Sequence, residues 1–190
     1  MIGGNTIYNG GGVRVNTQPS KNNLKKLLPL VAIVVAVVLV IVLICRLIAG
    51  TPKGVVKDYV KALSKQDAEA FIDLCPDEFV ENLLDDYDIS ERNLEKTIEV
   101  CLDEDLEGYE DAKLKKFKDK EKADDDDLDD VNDYLDLDKD VKKGYEYEIK
   151  IEYDDGDSGT LVVDAFKYRG KWYCYNACSL VKYCAMNSEY

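Results

Sequence analysis

One uncharged apolar run constrains this chain more than any other feature. Nineteen residues without a charge begin at Leu27 and end at Cys45, between two lysines and Arg46. A helix rises about 1.5 Å per residue, so about 20 apolar residues cross a hydrocarbon core about 30 Å thick. Because the Arg46 side chain can extend to the headgroups, the apolar length reaches Ala49. The sequence therefore predicts one transmembrane helix over residues 27–49, with the lipid bilayer as its partner.

A buried core helix and a cleaved signal peptide are the alternatives to this membrane anchor. Helices of globular cores are seldom apolar on every face. Signal peptides have apolar cores of about 7–15 residues and a small-x-small cleavage site, whereas Ile48 stands where the first small residue belongs. We therefore predict a single-pass protein of the cell membrane, with a cytoplasmic N-terminus and an extracytoplasmic C-terminal domain. Basic residues on the two sides are nearly balanced, so this orientation rests on the usual arrangement of signal-anchor proteins.

Charge is distributed unevenly along the chain. All 39 acidic residues and 20 of the 25 basic residues follow Gly50. Such an acidic part lacks the basic surface that phosphate binding requires, which argues against nucleic acid as a partner. Its length, about 140 residues, suits one domain. Residues 1–26 are rich in glycine and asparagine, and we predict a disordered tail because they have too few apolar side chains to bury.

The cysteine and histidine counts limit the chemistry of the chain. Histidine, the commonest general base and metal ligand, is absent from the sequence, and we predict no metal site, cofactor or catalytic residue. Five cysteines follow the membrane segment, an odd number that leaves at least one thiol free or intermolecular. They are candidates for disulfides, and buried free thiols are the alternative. These residues are Cys75, Cys101, Cys174, Cys178 and Cys184.

Hydrophobic periodicity divides the acidic part into helices followed by strands. A first helix is predicted from Pro52, a second ends before Pro76, and residues 77–84 add a short helical segment. Ser90 is a typical N-cap for the next helix, which Gly108 is expected to end.

The second half of the acidic part carries strand signals. Strict alternation of apolar and polar residues over 145–153 predicts a strand with one solvated face. Turn-forming residues follow it and recur at Arg169 and Gly170, which predicts an antiparallel meander. The predicted fold class is α+β, with a linker at 50–53, a domain at 54–178 and a tail at 179–190. The further predicted elements are strands at 112–122, 160–168 and 171–177, and a short amphipathic helix within the acidic run 124–140.

Two stretches resemble a known domain family. VVKDYVKALSKQDAEAFIDLCPDEF resembles the first two helices of bacterial domains with the nuclear transport factor 2-like fold, and YRGKWY from Tyr168 resembles their closing hairpin and strand. The resemblance implies a cone, in which a curved antiparallel sheet wraps around N-terminal helices and leaves a pocket at its wide end. Many such domains are tethered to the membrane of Gram-positive bacteria and face outward, which implies a domain of the bacterial cell envelope.

Candidate site residues follow from the predicted strands and from this resemblance. Tyr145, Tyr147, Phe166 and Trp172 are predicted to form walls of the core or of a pocket. Cone-fold enzymes such as ketosteroid isomerase-like and polyketide cyclase-like proteins place an aspartate or tyrosine acid/base pair in the pocket, and the resemblance makes Asp164, on a predicted strand, a candidate for this role. The alternative for a lone aspartate is the exposed face of its strand.

The acidic run 124–140 suggests calcium binding but does not match an EF-hand. Asp136, Asp138 and Asp140 have its first spacings, whereas Val141 replaces the glycine and Tyr147 the final glutamate. The predicted function is a non-catalytic module that binds a small apolar ligand or an envelope protein. The alternatives are a small-molecule isomerase or cyclase and an acidic surface protein that binds divalent cations weakly.

Overall fold

The structure, a computed structural model, describes residues 50–187. The predicted tail at 1–26 and the predicted transmembrane helix at 27–49 lie outside the described residues. Among the helices at 50–187, none combines the length and apolar character needed to cross a bilayer.

The described domain has the predicted α+β architecture, with helices first and an antiparallel sheet after them. A fifth helix interrupts the sheet between its first two strands, and a sixth ends the domain. The helices are α1 Pro52–Lys65, α2 Ala68–Asp73, α3 Asp77–Asp86, α4 Glu91–Asp105, α5 Asp125–Leu135 and α6 Tyr175–Met186, with a short 3-10 turn at Glu107–Tyr109. The strands are β1 Lys113–Lys122, β2 Gly144–Glu152, β3 Ser158–Tyr168 and β4 Lys171–Cys174.

Capping residues fix where the helices begin. The Thr51 hydroxyl accepts a hydrogen bond from the Gly54 amide at 3.0 Å, with proline in the first turn of α1. Ser90 accepts one from the Asn93 amide at 3.3 Å. These contacts satisfy backbone donors that have no partner inside a helix. The predicted starts of α1 and α4 are therefore confirmed, whereas Gly108 lies in the 3-10 turn and not at the end of α4.

The four strands pair in chain order, so the sheet is an antiparallel meander. Two register shifts interrupt the pairing of β1 with β2, and such bulges bend a strand and increase its twist. Strand β1 is a lysine-rich edge, which discourages pairing with other chains. Arg169 and Gly170 both have positive φ, 45° and 89°, as the two-residue turn between β3 and β4 requires.

The core lies between the sheet and the helices. Helix α1 packs against β3 and β4, and α6 contacts α2, α4 and β3. The helices contribute fully buried side chains such as Phe71, Leu94 and Ile98, and the central strand β2 contributes Tyr147 and Ile149. All of these residues belong to one hydrophobic cluster, so the described domain has a single core.

The predicted C-terminal boundary is wrong. Strand β4 ends at Cys174, and α6 follows at once. Residues 179–186 therefore belong to this helix of the domain and do not form a tail. The reason is that Cys178, Val181, Cys184 and Ala185 recur at three- and four-residue steps, and all four are buried. The predicted linker at 50–53 also differs, because α1 already begins at Pro52.

Candidate functional site

A cleft of about 230 Å³ lies between α5, β2 and β3, next to the start of α6. Its lining divides into an apolar part and an acidic part. The apolar and aromatic residues are Ala123, Leu128, Val131, Gly144, Tyr145, Ala165, Phe166 and Tyr175, and the acidic residues are Asp127, Asp130, Glu146 and Asp164.

Strand register and helix capping bring three of the carboxylates together. Glu146 on β2 stands directly opposite Asp164 on β3. Asp127 is the third residue of α5, and its side chain accepts a hydrogen bond from the Asp124 amide at 2.9 Å in a capping box. Like charges directly opposite each other across two strands destabilise a sheet. Within residues 50–187, no salt bridge involves Asp127, Glu146 or Asp164.

The environment of Asp164 favours its neutral form. Burial, and to a lesser extent the charges of Glu146 and Asp127, together raise the pKa of Asp164 to about 6. The Asp164 amide donates to the Asn176 side-chain oxygen at 2.8 Å, and the Asn176 side-chain nitrogen donates to the Val162 carbonyl at 3.3 Å. These two hydrogen bonds hold β3 against the first turn of α6.

The apolar side of the cleft is tightly packed. Phe166 is only 2% exposed and stacks on Tyr173 with ring centroids 5.8 Å apart. A Cβ atom added at Gly144 would lie 3.0 Å from the Cβ of Ala123 and 3.3 Å from Leu128. Glycine at this position therefore allows α5 to approach β2 closely enough to close one side of the cleft.

The structure brings some of the predicted site residues together and separates others. Tyr145, Asp164 and Phe166 all line the cleft, whereas Tyr147 and Trp172 do not. Trp172 stacks on Tyr145 with ring centroids 5.6 Å apart, and it lines a second groove beside α1 and α2.

Tyr147 is a core residue with an unusual hydroxyl group. Its side chain is fully buried, and its Oη atom has no hydrogen-bond partner in the described part of the chain. Burial raises the pKa of Tyr147 to about 12, with a smaller contribution from Tyr145. Its ring packs edge-on against Phe117 at 5.7 Å. Tyr147 therefore contributes to the core and not to the cleft.

Sequence reasoning missed Asp127, Glu146 and Tyr175 as cleft residues. Glu146 is opposite Asp164 because of the β2–β3 register, which the turn between the two strands sets. That signal was present in the sequence. Tyr175 was missed because the last strand was expected to continue to residue 177, whereas Tyr175 begins α6 and packs edge-on against Tyr134 of α5 at 5.3 Å.

The C-terminal end of the acidic run, at Asp138, is tied to the rest of the fold by a hydrogen-bond and ion-pair network. The Tyr168 hydroxyl group donates to Glu78 Oε2 at 2.8 Å and contacts Asp138. The Asp138 amide donates to Glu78 Oε1 at 2.7 Å, and Arg169 forms ion pairs with both acids. The hydrogen bond from Tyr168 lowers the pKa of Asp138, partial burial opposes it, and Arg169 adds to the lowering. This network attaches the segment after α5 to α3 and β3.

The remaining candidates for chemistry are the five cysteines predicted as disulfide partners. All five carry free thiols in the structure, and none of them lines the cleft. Within residues 50–187, no group of three or more His, Cys, Asp or Glu side chains is arranged to hold a metal ion.

Comparisons of the chain with protein-family models, with curated proteins and with solved structures found no match.

Proposed function

We propose that this chain is a single-pass membrane protein of the bacterial cell envelope, and that its extracytoplasmic domain is a non-catalytic binding module whose site is the acidic cleft. The apolar segment 27–49 would anchor the chain in the lipid bilayer, which is its partner. Helices followed by an antiparallel sheet with a bent edge strand support the nuclear transport factor 2-like cone as its fold. Since fold alone does not assign function, the chemistry of the cleft determines which ligand the domain binds.

One observation carries the binding proposal: the Asp164 carboxyl group lies near those of Glu146 and Asp127, and none of the three forms a salt bridge with a basic side chain among residues 50–187. A bound cation would relieve the repulsion among these groups, and the apolar wall at Leu128 and Phe166 would hold a hydrocarbon portion. The ligand is therefore a small amine with an apolar body, or the lysine or arginine side chain of an envelope protein.

The test uses n-butylammonium chloride as a cationic probe and n-butanol as its neutral counterpart. Both are titrated into a ¹⁵N-labelled fragment of residues 50–190 while amide chemical shifts are recorded. We expect butylammonium to shift the amides of residues 123–131, 144–146 and 164–166 with a Kd on the order of 1 mM, since the probe has few atoms. Butanol should shift them much less.

Two variants sharpen this test. Asp164→Asn removes the central charge and should weaken butylammonium binding several-fold, whereas Asp154→Asn at the exposed β2–β3 turn should leave it unchanged. Equal shifts with butanol and butylammonium, or equal losses in the two variants, would refute the cationic-ligand proposal.

A second function is favoured by one specific observation. The pKa of Asp164, raised to about 6 by burial and by the charges of Glu146 and Asp127, suits a general base at near-neutral pH, which is the role of the acid/base residue in an isomerase or cyclase. The probe for this function is 2-tetralone, whose α-protons exchange in D₂O. If the domain accelerates the exchange of these α-protons and Asp164→Asn abolishes the acceleration, the enzymatic proposal would replace the non-catalytic one.

A further inference from the structure

The thiols of the described domain gather around the C-terminal helix. Cys178 and Cys184 belong to α6, and Cys174 immediately precedes it. Cys75 follows α2 and Cys101 lies within α4, and α6 packs against both of these helices. Because a helix turns by about 100° per residue, positions 178 and 184 point in different directions. Each can therefore face a different neighbouring helix.

The first thiol pair joins the end of α2 to α6. The side chains of Cys75 and Cys178 lie within interaction distance of each other, and both residues are at most 1% exposed. The neighbouring backbone is fixed, since the Cys174 amide donates to the Leu74 carbonyl at 3.0 Å. The Cys75 thiol also lies 3.5 Å from the Phe71 carbonyl.

The second thiol pair joins α4 to the other end of α6. The side chains of Cys101 and Cys184 lie within interaction distance of each other. Cys184 is buried, and Cys101 is partly exposed. Helix α4 and the segment that follows α2 thus each present one thiol to one thiol of α6.

Cys174 is the odd thiol. It is fully buried, and its interaction with Cys75 is electrostatic and not a hydrogen bond. The stronger interaction of Cys75 with Cys178 therefore favours Cys178 over Cys174 as its partner, although the two are only four residues apart.

We propose that the mature protein carries two disulfides, Cys75–Cys178 and Cys101–Cys184, with Cys174 left as a thiol. In each reaction two thiols lose two protons and two electrons and form one S–S bond. A disulfide-type oxidant accepts the electrons and protons and is reduced to two thiols. The proposal rests on the proposed extracytoplasmic placement for its oxidant, because disulfides persist there and not in a reducing cytosol.

Tryptic cleavage separates Cys75, Cys101 and Cys184 from one another and from the single peptide that holds Cys174 and Cys178. Cys75, Cys101 and Cys184 fall in the peptides 66–92, 97–113 and 183–190, and both Cys174 and Cys178 fall in 172–182. The full-length chain is isolated from membranes with its thiols alkylated at harvest, digested without reduction and analysed by mass spectrometry. A second sample is reduced and unfolded in detergent, and is then refolded in a glutathione redox buffer before the same digestion.

We expect two linked peptide pairs, 66–92 with 172–182 and 97–113 with 183–190, each lighter by about 2 Da than its two free thiol peptides together. Cys178→Ser should lose the first link and keep the second, whereas the matched control Cys174→Ser should keep both. A first link that survives in Cys178→Ser, or full alkylation of all five thiols after oxidative refolding, would overturn the proposal. Links that form on refolding but are absent from membranes support the pairing and contradict the extracytoplasmic placement instead.

Discussion

Replacing Asp164 with asparagine should stabilise the domain at neutral pH and leave it nearly unchanged in acid. Burial, Glu146 and Asp127 raise the pKa of Asp164 from 3.8 to about 6 in the folded state. A shift of about two units corresponds to about 3 kcal/mol against the charged form. Because Asp164 is only partly buried, solvent screening reduces this value, and we expect about 1–2 kcal/mol.

The sign of the pH dependence follows from proton linkage. Between pH 3.8 and about 6 the folded state holds a proton on Asp164 that the unfolded chain has released, so stability falls as pH rises through this window. Below pH 3.8 Asp164 is protonated in both the folded and the unfolded state, so it does not affect stability. Above about pH 6 it is charged in both states, and the full loss of stability remains. Because asparagine does not ionise, only the wild type is destabilised as the pH rises. The stability advantage of Asp164→Asn over the wild type should therefore grow with pH.

Urea unfolding of residues 50–190, followed by far-UV circular dichroism, measures this difference. The gain in unfolding free energy of Asp164→Asn should be a few tenths of a kcal/mol at about pH 4 and about 1–2 kcal/mol at about pH 7.5. Comparing the variant with the wild type at each pH cancels other titrating groups, among them Asp58, whose pKa burial also raises. The exposed control Asp154→Asn should show no such trend. A gain independent of pH, or a loss at neutral pH, would refute the account of the cleft.

Three further substitutions test separate parts of the structure by the same urea assay. Tyr168→Phe removes the donor to Glu78 and Asp138 and should cost about 1–3 kcal/mol; an unchanged midpoint would show that the network contributes nothing. Tyr147→Phe removes a buried hydroxyl group without a partner among the described residues, so stability should be unchanged or rise by up to about 1 kcal/mol. A clear loss would mean that this hydroxyl group has a partner. Gly170→Ala should cost about 1 kcal/mol, because φ is 89° in the β3–β4 turn, and a neutral result would mean that the turn rearranges freely.

The features that sequence reasoning predicted correctly are those set by a few neighbouring residues. The cap at Ser90 acts on an amide three residues away, and the positive φ of Gly170 is a property of the turn itself. The alternation along β2 depends only on which face of the strand is buried, and Ile149 and Ile151 are buried as expected. Such signals need no knowledge of the rest of the chain.

The features that it missed depend on contacts between distant segments. Residues 171–177 continue the apolar pattern of a strand, yet the chain turns into α6 after Cys174, where Ala177 and Cys178 pack into the core. The cleft forms only because β2 and β3 pair in one register and α5 packs beside them. No local sequence pattern predicts both of these features. Asp164 could be placed on a strand from sequence, but the two carboxylates that face it come from β2 and from α5.

Helix α6 links the proposed disulfides to the cleft. Its first turn contributes Tyr175 to the cleft lining and Asn176 to the hydrogen bond with the Asp164 amide, and Cys178 lies less than one turn further along. A bond from Cys178 to Cys75 would hold this turn in place, so reducing it should loosen the acidic wall and lower the affinity for cations.

We therefore expect the refolded, oxidised full-length chain to bind n-butylammonium several-fold more tightly than the same chain after reduction. The loss should be reproduced by Cys178→Ser. The matched variant Cys184→Ser should change the affinity much less, because Cys184 lies about two turns beyond Asn176 on α6. Equal affinities in the oxidised and reduced chains would show that packing alone holds the first turn of α6, since Val181 and Ala177 are fully buried whatever the state of the thiols. In that case the two disulfides would stabilise the fold without influencing the cleft.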